Sequence, residues 1–395
     1  MQVRTRFLVG VVAFAALLAA AATAGARPGG LATRLAQALA VPHVDHSREG
    51  AIAVDLQTGR VIFARNADRA LLPASNEKVP VTYAALVAFG PSYRIPTSVY
   101  ATPAGHVVLK GYGDPTLSTG DLHELAARVR GSGVTSVRRV FADESFFDEK
   151  RTSPGWKPGF YINESPPLSA LTVDRARVAG VTSHDPAIAA ARLFRAALVA
   201  AGVRVSGPVG RGAAPADVEP IASVQSPPMK DIVREVNTQS DNFTAELVLK
   251  QLGALTHVPG TTAAGGKVVR EILAASAVPT DGLRIADGSG LSLLDRISAR
   301  TLVAIFEAAW LNPDVRDDFR RSLAVAGKTG TLDARMRGGP AWGNVLAKTG
   351  TTNAASSLSG YASDRYAFAV LHNGSPVSSW WARRAQDRFA TALAR

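Results

Sequence analysis

Ser75-Asn76-Glu77-Lys78, Ser240-Asp241-Asn242 and Lys348-Thr349-Gly350 follow one another in that order along 395 residues. No other feature restricts the fold as much. Each string is weak alone. A serine with a lysine three places on is ordinary at a helix start. Ser-Asp-Asn is ordinary turn chemistry, because Asp and Asn side chains bond their own backbone. Together, as S-x-x-K, S-x-N and K-T-G, they are the parts of a serine acyl-transfer site. A chain that uses them must bring three distant segments to one point.

A serine hydroxyl is a poor nucleophile at its own pKa and needs a base within hydrogen-bond reach. With Ser75 at a helix start, Lys78 lies one turn on and on the same face. Val79 to Phe89 is almost wholly apolar, which predicts a helix buried on all sides. Pro80 fits only in its first turn, so it independently sets the helix start near Ser75. The serine then sits at the positive end of a buried helix, where free N–H groups favour negative charge.

K-T-G occurs twice, at Lys328 and at Lys348. The motif must lie on an edge strand that can pair with an extended substrate. Asn344 to Ala347 is strand-like and a hairpin partner follows Gly350, whereas Leu332 to Gly339 after the first copy is charged and glycine-rich. Lys348 is therefore the expected site residue, with Lys328 in a loop nearby. In the resulting scheme Ser75 attacks a carbonyl and a neutral Lys78 takes its proton, as a buried lysine near other cations allows. Ser240 relays a proton to the leaving group and Asn242 holds the substrate amide. Simple helix capping is the alternative role for both, and compatible with the first. Lys348 and Thr349 bind a terminal carboxylate, Lys348 also disfavours a charged Lys78, and Gly350 and Thr351 continue the substrate edge. The N–H groups of Ser75 and Thr351 form the oxyanion hole.

Met1 to Ala26 reads as an export leader: Arg4 and Arg6, an apolar run from Phe7 to Ala22, then small-residue cleavage sites. The run is also long enough for a retained anchor. The chain has no cysteine, so an exported product relies on packing alone. Formal net charge is +12, two of those charges lying in the leader. Such a balance favours an anionic envelope surface. Without a basic stripe interleaved with aromatics, nucleic-acid binding has no motif behind it. No cofactor is expected, and the 7 scattered histidines show no H-E-x-x-H to suggest a metalloenzyme.

About 160 residues separate Lys78 from Ser240, room for an inserted domain of ordinary size. The reading is residues 1–26 leader, 27–92 first catalytic part, 93–222 inserted domain, 223–395 second catalytic part. A hairpin is expected over Ala51–Phe63, with its turn at Gln57-Thr58-Gly59. In the insert, short β-like runs (Ser98–Tyr100, His106–Leu109, Val137–Phe141) and one helix, Pro186–Ala200 capped by Asp185, precede a loop at Gly207–Asp217. Two helices then flank Ser240-Asp241-Asn242. Strands at Val345–Thr349, Ser356–Ala362 and Tyr366–His372 precede a last helix, Ser379–Leu393. Strands at both ends with helices between imply an α/β (α+β) fold: one antiparallel sheet built from the two termini, plus a helical region and a β-rich insert.

With those residues in place, the chain resembles the low-molecular-mass penicillin-binding proteins of the D-alanyl-D-alanine carboxypeptidase/endopeptidase type, class C, with an inserted domain. Gly111-Tyr112-Gly113-Asp114-Pro115-Thr116-Leu117, Asp143-Glu144-Ser145-Phe146-Phe147, Pro166 to Leu171, Asp287 to Ser292 and Gly330-Thr331-Leu332 are similar to that family's strings. The resemblance implies a serine β-lactamase/transpeptidase-like catalytic domain that cleaves peptidoglycan stem peptides through an acyl-enzyme on Ser75 and is inhibited covalently by β-lactams. It also implies that Asp143 faces the free end of the stem's diamino acid; a turn or cap aspartate is the structural alternative. Two departures stand out. Leu293 occupies the place of a usual arginine, with Arg296 three residues on, and Thr172 to Asp185 is too short for a further nested subdomain.

Two rival readings remain at this stage. A serine β-lactamase shares the three strings but needs a glutamate-activated water. Glu271 is in the right stretch, yet Arg270 to Leu273 reads as an amphipathic helix. A non-catalytic wall-binding scaffold would have lost a motif residue, and none is lost.

Overall fold

The computed structural model describes residues 30–395; the expected leader lies outside them. α1 (Leu31–Leu39) leads to a hairpin, β1 (Glu49–Asp55) and β2 (Val61–Arg65), and a 3-10 turn at Ala74–Glu77 runs into α2 (Lys78–Phe89). Lys78 to Leu86 are all buried, so α2 has no solvent face until Val87 emerges in its last turn, and Gly90 stops it with φ 80°. Pro80 sits where the missing N–H has no helical partner to lose.

The chain then leaves for a second sheet made of β3 (Pro96–Ala101), β4 (Val107–Gly111), β6 (Val140–Asp143), β10 (Gly210–Arg211) and β11 (Ala222–Gln225), in the order β10-β6-β4-β3-β11. β4–β6 and β6–β10 are parallel, the other pairs antiparallel. Two helices, α3 (Thr119–Gly131) and α4 (Pro186–Ala200), cover it through Leu122, Leu125, Val129, Phe194 and Leu198. Small pairs β5 (Ser136–Val137) with β9 (Arg204–Val205), and β7 (Arg177–Val178) with β8 (Val181–Thr182), complete the segment. Three expectations are corrected here. The run Val137–Phe141 divides between two sheets. Gly207–Asp217 is not wholly a loop, because it holds β10. And α3, closed by a Ser118/Asp121 capping box, makes the segment less purely β than its turn-rich texture suggested.

The return brings α5 (Met229–Gln239), α6 (Asn242–Ala254), α7 (Thr262–Ala275), α8 (Ala299–Leu311) and α9 (Arg316–Ser322), then β12 (Ala324–Val325), β13 (Val345–Thr351), β14 (Ala355–Ala362), β15 (Tyr366–Asn373) and α10 (Ser379–Leu393). Both ends of the chain meet in one antiparallel sheet, ordered β12-β13-β14-β15-β1-β2. Alternate residues of β1 divide between two cores. Ile52 and Val54 join α2 and the helical layer, while Ala51 and Ala53 join α1 and α10. Both faces are thus covered, and β1 is buried along its whole length.

Candidate active site

Ser75 lies in the 3-10 turn just before α2, after Ala74, whose φ is 48°. Gly290 makes that turn possible. A Cβ there would stand 1.9 Å from the Ala74 carbonyl oxygen, and its φ is +83°. Lys78, one turn on, is fully buried. Its Nζ donates to Ser75 Oγ at 3.0 Å, Asn242 Oδ1 at 2.8 Å and Ser289 O at 2.5 Å. Desolvation draws its pKa down to about 8, against the opposing pull of Asp287, Asp241, Glu246 and Glu77.

The second string forms the junction of α5 and α6. Ser240 ends α5 in the left-handed region (φ 63°, ψ 36°), and Asp241 caps α6 by accepting from the Thr244 N–H at 2.7 Å. Ser240 is thus the C-cap of α5, whereas the N-cap of α6 is Asp241 and Asn242 is that helix's first residue. Ser240 Oγ accepts from Lys348 Nζ at 2.8 Å, and Asn242 Nδ2 donates to Glu164 O at 3.1 Å. Arg175 pairs with Asp241 at 2.6 Å. Glu164 and Arg175 both belong to the segment between α2 and α5, which therefore touches the motif directly.

β13 closes the third side. β12 pairs only with Leu346 and Ala347, so Lys348 to Thr351 lie beyond β12 on the outer edge of the sheet. Gly350 allows the strand to approach the nucleophile: a Cβ would lie 2.9 Å from Ser75 N. Asn76, fully buried, fastens the turn to the sheet. It donates to Lys348 O (3.2 Å) and Ser357 Oγ (2.6 Å) and accepts from Ser359 Oγ. Lys348 is also buried, donating a second bond to Thr349 O at 2.8 Å. Burial, then repulsion from Lys78, holds its pKa well below the usual lysine range. The mutual repulsion expected of the two lysines is therefore carried by Lys348, since acidic groups surround Lys78. Thr349 Oγ1 donates to Thr331 Oγ1 at 2.8 Å. Lys328 takes no part in these contacts; its ammonium lies 4.7 Å from the ring centre of Trp342.

Asp143 is buried and engaged within its own segment. Its oxygens accept from Ser145 N (2.9 Å), Ser145 Oγ (2.6 Å) and Ala214 N (2.7 Å), with Lys110 Nζ at 3.3 Å. Burial works against its charge, but those bonds hold it below the ordinary carboxylate range. It ends β6, and all these partners lie between α2 and α5. Leu293 is partly exposed, and Arg296 bonds back to the carbonyls of Leu293 (2.9 Å) and Asp295 (2.6 Å).

Reasoning from sequence missed a buried acid group beneath Lys78. Glu246 accepts from the N–H groups of Gly288 (2.9 Å) and Ser289 (2.8 Å), and Asp287 from Gly290 N (2.7 Å) and Trp156 Nε1 (2.8 Å). Together they fix the loop whose Ser289 carbonyl holds the lysine. Glu77 has both carboxyl oxygens buried without a hydrogen-bond partner, and burial followed by repulsion from Asp287 and Glu246 raises its pKa well above normal. The signal was present in Asp287-Gly288-Ser289-Gly290, though not the use of a backbone carbonyl. Asn76 and Glu164 carried no signal.

The model of the D-Ala-D-Ala carboxypeptidase 3 (S13) family matches residues 31–183 and 176–395. A D-alanyl-D-alanine carboxypeptidase of Actinomadura sp. is 32% identical over 451 residues, spanning 90% of this chain and 83% of that protein. Carboxypeptidase DacB of Mycolicibacterium smegmatis is 31% identical over 398 residues, spanning 92% and 84%. Penicillin binding protein 4 (dacB) from Haemophilus influenzae shares the fold, with a TM-score of 0.77 at 21% identity over 92% of this chain and 98% of that one. The match runs through every segment that supplies a site residue, and the chain belongs to the D-Ala-D-Ala carboxypeptidase 3 (S13) family.

Proposed function

We propose that the protein is a serine D-Ala-D-Ala carboxypeptidase acting on peptidoglycan stem peptides, with Ser75 as nucleophile and Lys78 as its base. The observation that carries this is the fully buried Lys78 Nζ at 3.0 Å from Ser75 Oγ, with a pKa of about 8. Ser75 Oγ attacks the carbonyl of the penultimate D-alanine as its proton passes to Lys78. The oxyanion rests between the N–H groups of Ser75 and Thr351. The C–N bond then breaks, and the leaving amine takes a proton through Ser240, whose hydroxyl is held by Lys348. Water hydrolyses the acyl-enzyme by the same groups in reverse. A β-lactam follows the first half of this path and stays attached. Cross-linked stem peptides offer the same bond, which supports an endopeptidase activity alongside.

Residues 93–222 are read as an insert that orients the site through Glu164 and Arg175. Export by the leader puts the enzyme with its substrate outside the cytoplasm. Among the described residues no helix is long and apolar enough to cross a membrane. The net charge of +12 suits an anionic envelope.

Intact mass after penicillin addition, for the wild type and Ser75→Ala, tests the reading. A long-lived adduct in the wild type alone, together with D-alanine release from a stem pentapeptide, supports it. Rapid drug turnover without an adduct indicates a β-lactamase, and no reaction in either protein sinks the acyl-transfer mechanism.

A further inference from the structure

A substrate that ends in a free carboxylate calls for a cation, and Lys348 is poorly placed to supply one. Its ammonium nitrogen is fully buried and already bonded to Ser240 Oγ and Thr349 O. The outer edge of β13 is different. Thr349 and Thr351 leave the strand on the same face, two residues apart. Arg383, early in α10, donates from Nη2 to Thr351 Oγ1 at 3.2 Å. It is exposed and pairs with no carboxylate among the described residues. Its neighbour Arg384 is engaged elsewhere, 5.3 Å from the ring centre of Trp380.

The placement of Arg383 is built into the fold. Gln386, three residues on, is fully buried and donates to Ser356 Oγ at 3.1 Å. Ser356 is the register partner of Thr351. Arg335 in turn donates to Gln386 Oε1 at 3.2 Å. This buried anchor fixes α10 over the end of the K-T-G strand and holds a free guanidinium beside the Thr351 hydroxyl.

We infer that Arg383 is a specificity residue of this peptidase: with the hydroxyls of Thr349 and Thr351, its guanidinium recognises the free α-carboxylate of the substrate's terminal D-alanine, a role that rests on the carboxypeptidase reading above. A planar guanidinium matches a carboxylate in shape and charge, and threonine hydroxyls supply the remaining donors.

The test compares wild type, Arg383→Gln and Arg383→Lys on two peptides. One is an acyl-L-Lys-D-Ala-D-Ala with a free carboxylate, and the other is the same peptide ending in a carboxamide. Release of D-alanine or D-alaninamide is followed, and penicillin adducts are counted by mass. The wild type prefers the acid. Arg383→Gln lowers kcat/KM for the acid by about 10- to 100-fold and leaves the amide within about twofold, as loss of a charged hydrogen bond implies. Arg383→Lys recovers part of the difference. An unchanged acid-to-amide ratio in Arg383→Gln overturns the inference, as does an equal fall on both peptides or a wild type indifferent to the carboxylate. A wild type that cleaves neither peptide and forms no adduct removes the carboxypeptidase reading itself, and with it the role of Arg383.

Discussion

Acylation of Ser75 is expected to depend steeply on pH below 8. Burial brings Lys78 to about 8, and only the neutral amine can take the serine proton. The neutral fraction is then roughly 1% at pH 6, roughly 9% at pH 7 and about half at pH 8. The second-order rate of acylation by benzylpenicillin, whose carboxylate is ionised throughout, should rise about tenfold from pH 6 to 7 and about fivefold from 7 to 8, levelling above about 9. Rapid quenching followed by intact mass measures it directly and reports on the free enzyme. Glu246→Gln provides a second arm. Glu246 raises Lys78, so its neutral isostere should move the inflection below that of the wild type while an oxygen still accepts from Gly288 and Ser289. A profile flat from pH 6 to 8, or falling with pH, refutes the assignment of a neutral Lys78 as the base. An inflection that Glu246→Gln leaves in place refutes the account of how its pKa is set.

Three further outcomes are expected. Asn76→Ala removes the bonds to Lys348 O, Ser357 Oγ and Ser359 Oγ, so stability should fall by about 2–4 kcal/mol in urea unfolding and acylation should slow; an unchanged midpoint counts against it. Gly290→Ala drives a Cβ into the Ala74 carbonyl at a backbone angle suited to glycine, and misplacing the serine should cost at least about 100-fold in penicillin acylation. Glu144, opposed by burial but held by Arg151, Ser169 and Arg211, has its pKa lowered to about 2. A depressed carboxylate contributes stability above its unfolded pKa and loses it as pH falls toward the folded one. Glu144→Gln should therefore cost about 3 kcal/mol at neutral pH and flatten the loss of stability between about pH 4.5 and 2, as thermal melts across that range will show.

The catalytic layer was legible because its elements are long, largely apolar runs with clear start and turn signals. An unbroken apolar run with Pro80 in its first turn specifies one buried helix, and strands on either side of Ser363-Asp364-Arg365 specify a hairpin. The choice of Lys348 over Lys328 rested on the same strand logic, and Lys348 is the one that meets Ser240. The segment between α2 and α5 was harder. A strand of two residues such as β10 has no period to detect, and Gly207 to Asp217 is rich in loop-forming residues. Sequence alone predicts one helix in this segment, Pro186–Ala200, and α3 went unread because its capping pair, Ser118 and Asp121, uses Asp where the familiar signature has Glu or Gln. Asp143 shows another limit. A motif identifies an aspartate, whereas its partners Ser145, Ala214 and Lys110 come from three places, and two of those bonds come from backbone N–H groups with no sequence signature. The carbonyls of Ser289 and Glu164 escape for the same reason.

The division of labour between the two buried lysines follows from where the acids lie. Both lose solvation, which disfavours the ammonium form. Lys78 recovers part of that loss from Asp287, Asp241, Glu246 and Glu77, so its pKa settles at about 8, where a base is both available and strong. At Lys348 burial and then the neighbouring Lys78 both act against the charged form, so its pKa is held well below the usual lysine range. A buried lysine already bonded to Ser240 Oγ and Thr349 O is a weak anchor for a carboxylate, but it can exchange protons with the Ser240 hydroxyl it touches. Proton traffic therefore belongs to the two buried lysines and the half-buried Ser240 hydroxyl, where Lys78 and Lys348 are held by backbone and side-chain bonds. Recognition of a charged substrate end belongs at the rim, where a cation keeps its charge. The β13 edge supplies both within one strand: Lys348 points inward to Ser240, and Thr351 stands beside Arg383.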